Sequence, residues 1–236
     1  MAKRKGAKER TEERRLHRVR LGVVCAVAAV VILIVVAGIY LALRPATLIL
    51  EEGGTYREVA GVAVSGDATI SVTEFFSYGC PACATFEPRL EAWVAELPDD
   101  VEFNRVPFVG SPGWNVFARG YFAMRDLELL ETYHSDLFDA IDVRGRNLGT
   151  AERFADFVAA DNSESFLRSF NGVRVERAMQ RADELSRTLG IVSVPTLVVD
   201  SRYVVIGQGA SVDALRVAEM LIGKVREERL DAVSSE

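Results

Sequence analysis

Two cysteines separated by two residues, in Cys80-Pro81-Ala82-Cys83, have the clearest chemical capacity in this sequence. Residues three apart on a helix share a face, so their sulfurs can close a disulfide across a single turn. The same spacing also makes half of a zinc site, which needs two further Cys or His ligands. The remaining candidates are Cys25 inside an apolar run, His17 in a basic tail and His134 far along the chain. Dithiol–disulfide chemistry is therefore the favoured reading, with no metal and no cofactor.

The flanking residues supply a setting for that chemistry. Ala68 to Tyr78 is β-rich and alternates, with Ile70, Val72, Phe76 and Tyr78 on one face, and Gly79 breaks the strand. Phe86, Leu90, Trp93, Val94 and Leu97 then recur at helical spacing from Pro81, and proline suits the first position of a helix. Cys80 therefore falls at or next to a helix N-cap, where unpaired N–H groups and the macrodipole favour an anion. This predicts an acidic, exposed Cys80 and a shielded, resolving Cys83. Glu74 is in phase with the apolar residues of the strand, which predicts a buried carboxylate with a raised pKa, able to exchange a proton with Cys83.

Charge divides the chain. Residues 1–20 hold nine basic and three acidic residues, a net of +6, leaving 19 basic and 31 acidic residues, a net of −12, in the remainder. That acidic balance argues against a nucleic-acid partner. Leu21 to Leu43 is an uncharged run of 23 residues, longer than the roughly 20 that span a bilayer. It lacks a small-x-small cleavage site at its exit and predicts an uncleaved transmembrane helix. By the positive-inside rule residues 1–20 form a cytoplasmic tail and everything beyond the span is exported, in a bacterial cell to the periplasmic or other extracytoplasmic side of the plasma membrane. Disulfides persist in such compartments.

Residues 44–57 read as a short tether containing Pro45 and Gly53-Gly54. Strands are expected over Glu58–Val64, Thr69–Tyr78 and Val101–Val109, with the cysteine-bearing helix over Pro81–Leu97. Residues 114–172 show apolar residues at three- and four-residue intervals and no strand pattern, with Thr150 and Ser163 as expected N-caps. A helix over Val175–Leu189, strands over Thr196–Val199 and Tyr203–Ile206 and a helix from Ser211 to about Val225 follow, with a disordered tail from 229 to 236.

A sheet flanked by helices, with a helical segment between its halves, is an α/β arrangement. Glu74-Phe75-Phe76-Ser77-Tyr78-Gly79-Cys80-Pro81-Ala82-Cys83 and the later Val194-Pro195-Thr196 resemble the DsbA-like thiol:disulfide oxidoreductases over about residues 58–225. The resemblance implies a thioredoxin fold with an inserted all-helical domain, its first half at 58–113, the insertion at 114–172 and its second half at 173–228. It implies a cis-proline at Pro195 and a Val194 backbone that meets a substrate strand beside the cysteines. It also implies oxidation of cysteine-containing exported proteins through Cys80 as nucleophile and Cys83 as resolving thiol, with a DsbB-like, quinone-linked membrane oxidase as partner. The chain has nothing like the dimerisation domain of the disulfide isomerases, so a monomer is expected. Ala82 departs from the family's usual histidine and cannot donate to sulfur, which predicts a Cys80 less acidic than in members that carry it. That departure keeps an anchored reductase or isomerase open as a rival, and a peptide-binding chaperone is a third reading.

Overall fold

The computed structural model describes residues 31–36, 54–60, 69–206 and 213–234, and the chain divides into two units, Met1–Thr47 and Leu48–Glu236. In the first unit residues 31–36 are helical. Among the described residues no helix is long and apolar enough to cross a membrane. The rest of the expected span, the basic tail and Cys25 lie outside the described residues.

Among the described residues the second unit is built on five strands: β1 (Tyr56–Glu58), β2 (Ile70–Phe76), β3 (Val101–Pro107), β4 (Thr196–Val199) and β5 (Tyr203–Val205), in the order β1-β5-β4-β2-β3. β2 and β3 run parallel, while β2–β4, β4–β5 and β1–β5 are antiparallel. A parallel pair needs a crossover, here helix α1 (Pro81–Val94). Between Pro107 and Thr196 come α2 (Asn115–Asp126), α3 (Leu130–Phe138), α4 (Ala151–Val158), α5 (Ser163–Phe170) and α6 (Val173–Thr188). The long helix α7 (Ala214–Ser234) follows β5.

Alternation along β2 divides the packing. Ile70 and Val72 are buried with Leu90 and Trp93 of α1 and Leu221 and Val225 of α7, while Phe75 is buried on the opposite face with Val198, Val204, Leu189 and Ile191. Phe76 and Tyr78, at the end of β2, join a third cluster with Cys80, Cys83 and the inserted helices, including Tyr121, Leu137, Phe154 and Phe166. The C-terminal end of β2 is thus where sheet, α1 and insertion meet, and the cysteines lie there.

Several boundaries differ from expectation. The first strand is Tyr56–Glu58 rather than Glu58–Val64, of which residues 61–64 lie outside the described residues. Thr150 caps α4, its hydroxyl accepting from Arg153 N at 3.3 Å, but Asn162 rather than Ser163 precedes α5. Ser211 lies outside the described residues, and α7 continues to Ser234 where a disordered tail was expected from 229. The cause is tertiary. Arg226 grips Asp100 at 2.7 and 2.8 Å, Arg229 reaches Asp200 at 2.7 Å, and Glu228 accepts from Arg202 at 2.9 Å and from the Tyr203 hydroxyl at 2.7 Å. These contacts pin a polar helix end to distant loops and strand ends, and apolar periodicity carries no trace of them.

Candidate active site

Ser77 to Cys80 turns the chain from β2 into α1, with Cys80 N donating to Ser77 O at 3.1 Å and Gly79 N to Ser77 Oγ at 3.2 Å. A Cβ on Gly79 would lie 2.7 Å from two indole atoms of Trp114 and 3.0 Å from Phe117, so glycine here admits the insertion against the turn. Cys80 is the N-cap of α1, with extended backbone angles, and Pro81 begins the helix.

Cys80 and Cys83 are both thiols in the structure. Cys83 is fully buried, and Cys80 is only 7 % exposed, so the expectation of an exposed thiol is corrected. The loop before β4 closes over it: Cys80 Sγ lies 3.4 Å from the carbonyl oxygen of Val194. The Val194–Pro195 bond is cis, Pro195 is buried, and Thr196 Oγ1 donates to Ser193 O at 2.7 Å. Val194 and Pro195 are thus brought to the cysteines from more than 100 residues away in sequence.

The two thiols are electrostatically unlike. Cys80 is pulled down to about 6 from an ordinary 9.0 by the hydrogen bond from the Cys83 thiol, which with the backbone N–H groups of Cys83 and Ala82 outweighs burial; the exposed carboxylate of Asp142 pushes weakly the other way. Cys83 is pushed far up by donating that hydrogen bond and by burial. At neutral pH the proton therefore stays on Cys83 and the charge on Cys80.

Glu74 is fully buried, on β2 directly opposite Arg105 of β3, whose Nε donates to it at 3.2 Å. Burial, then the charge of Glu87, pushes its carboxyl up to about 8 against the pull of Arg105. Sequence reasoning missed the rest of this cluster. Arg105 Nη2 donates to Glu87 at 2.9 Å and lies 3.5 Å from Glu91. His134 Nε2 sits 3.1 Å from Glu87, and its Nδ1 is 2.6 Å from the Tyr78 hydroxyl. Glu87 had a readable sign, since it falls one turn after Cys83 on the same face of α1. Arg105 could be found only from the β2–β3 register, and His134 only from the packing of α3. Among the described residues no three His, Cys, Asp or Glu are grouped to hold a metal ion.

The arrangement offers an ionised sulfur at a helix N-terminus, a protonated sulfur beneath it and a carboxyl that still carries its proton near neutrality. Those are the requirements of thiol–disulfide exchange in which the buried sulfur must gain and lose a proton.

Comparison with known proteins agrees with this chemistry. Residues 64–217 match the thioredoxin family model. The chain is 34% identical over 182 residues to the thiol:disulfide interchange protein DsbA of Azotobacter vinelandii, covering 75% of this chain and 85% of that protein. It is 35% identical over 179 residues to the protein of the same name from Pseudomonas aeruginosa, covering 74% and 85% respectively. The crystal structure of the oxidoreductase DsbA from Xylella fastidiosa matches with a TM-score of 0.70 at 33% identity, covering 76% of this chain and 100% of that one.

Proposed function

The chain belongs to the DsbA family of thioredoxin-fold thiol:disulfide oxidoreductases, and from that premise we propose that it is a membrane-anchored oxidase of exported, cysteine-containing proteins. In the first step a substrate thiolate attacks Cys80 Sγ of the oxidised pair. The Cys80–Cys83 bond breaks, a substrate–Cys80 disulfide forms, and Cys83 leaves as a thiolate that takes the proton of Glu74. A second substrate thiolate then attacks the substrate sulfur of that mixed disulfide, so Cys80 leaves as a thiolate and the substrate gains its disulfide. Two electrons remain on the pair, and a DsbB-like membrane oxidase passes them to quinone. Val194 offers its backbone to the substrate strand beside Cys80.

The observation that carries this reading is the division of labour between the sulfurs. The ionised Cys80 is a good leaving group in the second step, and the buried Cys83 retains a proton and does not compete with substrate. The test is oxidation of a reduced, unfolded two-cysteine substrate by the oxidised protein, followed by its free thiols. Wild type forms the substrate disulfide in stoichiometric amount, Cys80→Ser forms none, and retained oxidation in Cys80→Ser would overturn the assignment.

The anchor reading is supported by the 23-residue uncharged run behind a basic flank; in this reading the catalytic unit works on the periplasmic face, as a monomer on a short tether. Alkaline carbonate extraction of membranes tests it: the full chain stays in the pellet and a form beginning at Pro45 does not. A second reading, an anchored reductase, is favoured by one feature, the exposed Ala82, which adds no donor to the Cys80 sulfur. The reduction potential separates the two, a value near −120 mV belonging to an oxidase and one near −270 mV to a reductase, both as approximate reference values.

A further inference from the structure

Two buried carboxylates, Glu74 and Glu87, share the single guanidinium of Arg105, Glu74 through Nε and Glu87 through Nη2. Like charges this close do not both ionise readily, so one of the two keeps a proton. Which one keeps it decides whether an acid stands beside Cys83. The two differ in a third neighbour. Glu87 Oε1 also lies 3.1 Å from His134 Nε2, while each carboxyl keeps one oxygen, Glu74 Oε1 and Glu87 Oε2, without a hydrogen-bond partner among the described residues.

The state of the His134 ring follows from its other nitrogen. Tyr78 is fully buried and burial holds its phenol proton in place; among the described residues the hydroxyl's one hydrogen-bond partner is Nδ1 at 2.6 Å, and we assign the proton of that bond to the phenol, since a buried O–H without an acceptor is costly. With Nδ1 accepting, the ring proton sits on Nε2, toward Glu87. Nε2 approaches Oε1 to 3.1 Å without completing a hydrogen bond, and a ring N–H dipole that close, in a buried setting, favours a carboxylate there over an acid O–H. His134 is itself only 6 % exposed, so solvent screens the contact little. The titratable and charged groups facing it are Glu91 of α1, Arg105 of β3, Tyr121 and Arg125 of α2 and Glu131 of its own helix, which with the uncharged Asn104 and Ser135 line a cavity of about 440 Å³ that opens beside the ring. Glu91 and Glu131 balance Arg105 and Arg125 in number, so the walls do not by themselves favour either protonation state.

We propose that His134 is a positioning residue that decides where the shared proton resides, holding Glu87 as the carboxylate and leaving the proton on Glu74. The contrasting titrations agree with that placement. Burial pushes Glu87 up, but its contacts with His134, Arg105 and Glu91 bring it below its ordinary value, while Glu74 is raised. The Tyr78–His134–Glu87 series thus couples the turn that carries Cys80 to the carboxyl of Glu74 through Arg105. The inference rests on the reading of Glu74 as the proton donor to Cys83 only for its consequence, not for the proton's location.

The test is a titration of the side-chain carboxyl carbons of the intact chain by ¹³C NMR, with the Glu74 signal assigned by its loss in Glu74→Gln. In wild type, Glu74 titrates as the high-pKa member of the pair. In His134→Leu the proton moves to Glu87, so Glu74 titrates lower by about one pH unit or more, a tenfold change in its protonation constant. His134→Gln, which still donates an N–H, keeps the wild-type order. Tyr78→Phe preserves the ring but frees Nδ1 to take the proton, and shifts Glu74 the same way as His134→Leu, which covers the case where the leucine variant fails to fold. In a Glu87→Gln background His134→Leu adds no further shift, because the partner it acts through is gone. An unmoved Glu74 in both His134→Leu and Tyr78→Phe, or an equal further shift in the Glu87→Gln background, overturns the proposal. If Glu74 shifts as stated but the rate of Cys83 protonation in single-turnover exchange does not, the proposal stands and the proton-donor reading of Glu74 falls.

Discussion

Replacing Ala82 by histidine should make the pair more oxidising by an amount that the structure lets one work out. The Cys80 sulfur is served by the Cys83 thiol and by two backbone N–H groups, while the side chain at 82 is exposed and adds nothing. At pH 7 a thiol titrating at about 6 is roughly nine-tenths thiolate, and one at the ordinary 9.0 is about one per cent thiolate. That difference stabilises the reduced pair by about 1.4 kcal/mol, or about 30 mV for a two-electron couple. An imidazolium from position 82 adds a donor to the same sulfur. If it lowers Cys80 by about two further units, still inside the roughly 3.5–7.5 range of activated cysteines, the reduced form gains about another 2.7 kcal/mol. The potential then rises by about 60 mV. The assay pairs two measurements on the form beginning at Pro45: thiolate absorbance near 240 nm against pH, and equilibration against glutathione buffers. If Cys80 falls by two units while the potential moves by less than about 10 mV, Cys80 acidity does not set the potential. If Cys80 does not move, the sulfur is out of reach of position 82.

Other outcomes follow from the same geometry. Because the Cys80 thiolate exists only in the reduced protein and its folded value of about 6 lies below the ordinary 9.0, its contribution to reduced-state stability is full above pH 9 and is lost as pH falls through 6. The stability of the reduced form minus that of the oxidised form should therefore grow by about 3 kcal/mol from pH 6 to 9, measured by urea unfolding with and without reductant. A flat difference would show that the thiolate is not stabilised in the fold. Glu74 has the opposite sign: raised to about 8, it contributes stability below its ordinary 4.5 that is lost as pH rises through 8 in both redox forms. Glu74→Gln should abolish that loss, and a wild-type pH profile in the variant would refute the assignment. Gly79→Ala places a Cβ 2.7 Å from the Trp114 indole and should destabilise the protein by about 1–3 kcal/mol while changing Trp114 fluorescence. Arg229→Ala leaves Asp200 buried without its guanidinium partner and should lower the midpoint by about 3–5 kcal/mol equivalent, read by thermal unfolding; a neutral effect would mean that the end of α7 does not help hold the sheet.

What was legible in the sequence and what was not divide along physical lines. The strand–turn–helix around the cysteines could be read because each step has a local cause: alternation in β2, a glycine that breaks the strand, a proline at the start of α1. The acidity of Cys80 is also of this kind, since the Cys-x-x-Cys spacing brings the Cys83 thiol to its sulfur first and the N-cap position adds the N–H groups of Cys83 and Ala82, whatever the side chain at 82. The buried position of Glu74 was also readable, from phase alone. Its partners were not. Arg105 meets Glu74 only because β2 and β3 pair in one register, and His134 meets Glu87 only because α3 packs there, 47 residues on in sequence. The same holds at the far end of the sheet, where the polar half of α7 read as a loose tail until Asp100, Asp200 and Arg202 were brought to it. The Cys80 site is therefore built by local sequence, and the carboxylate cluster beneath it by tertiary packing. A change at position 82 and a change at 134 should then act separately, the first on Cys80 and the second on Glu74.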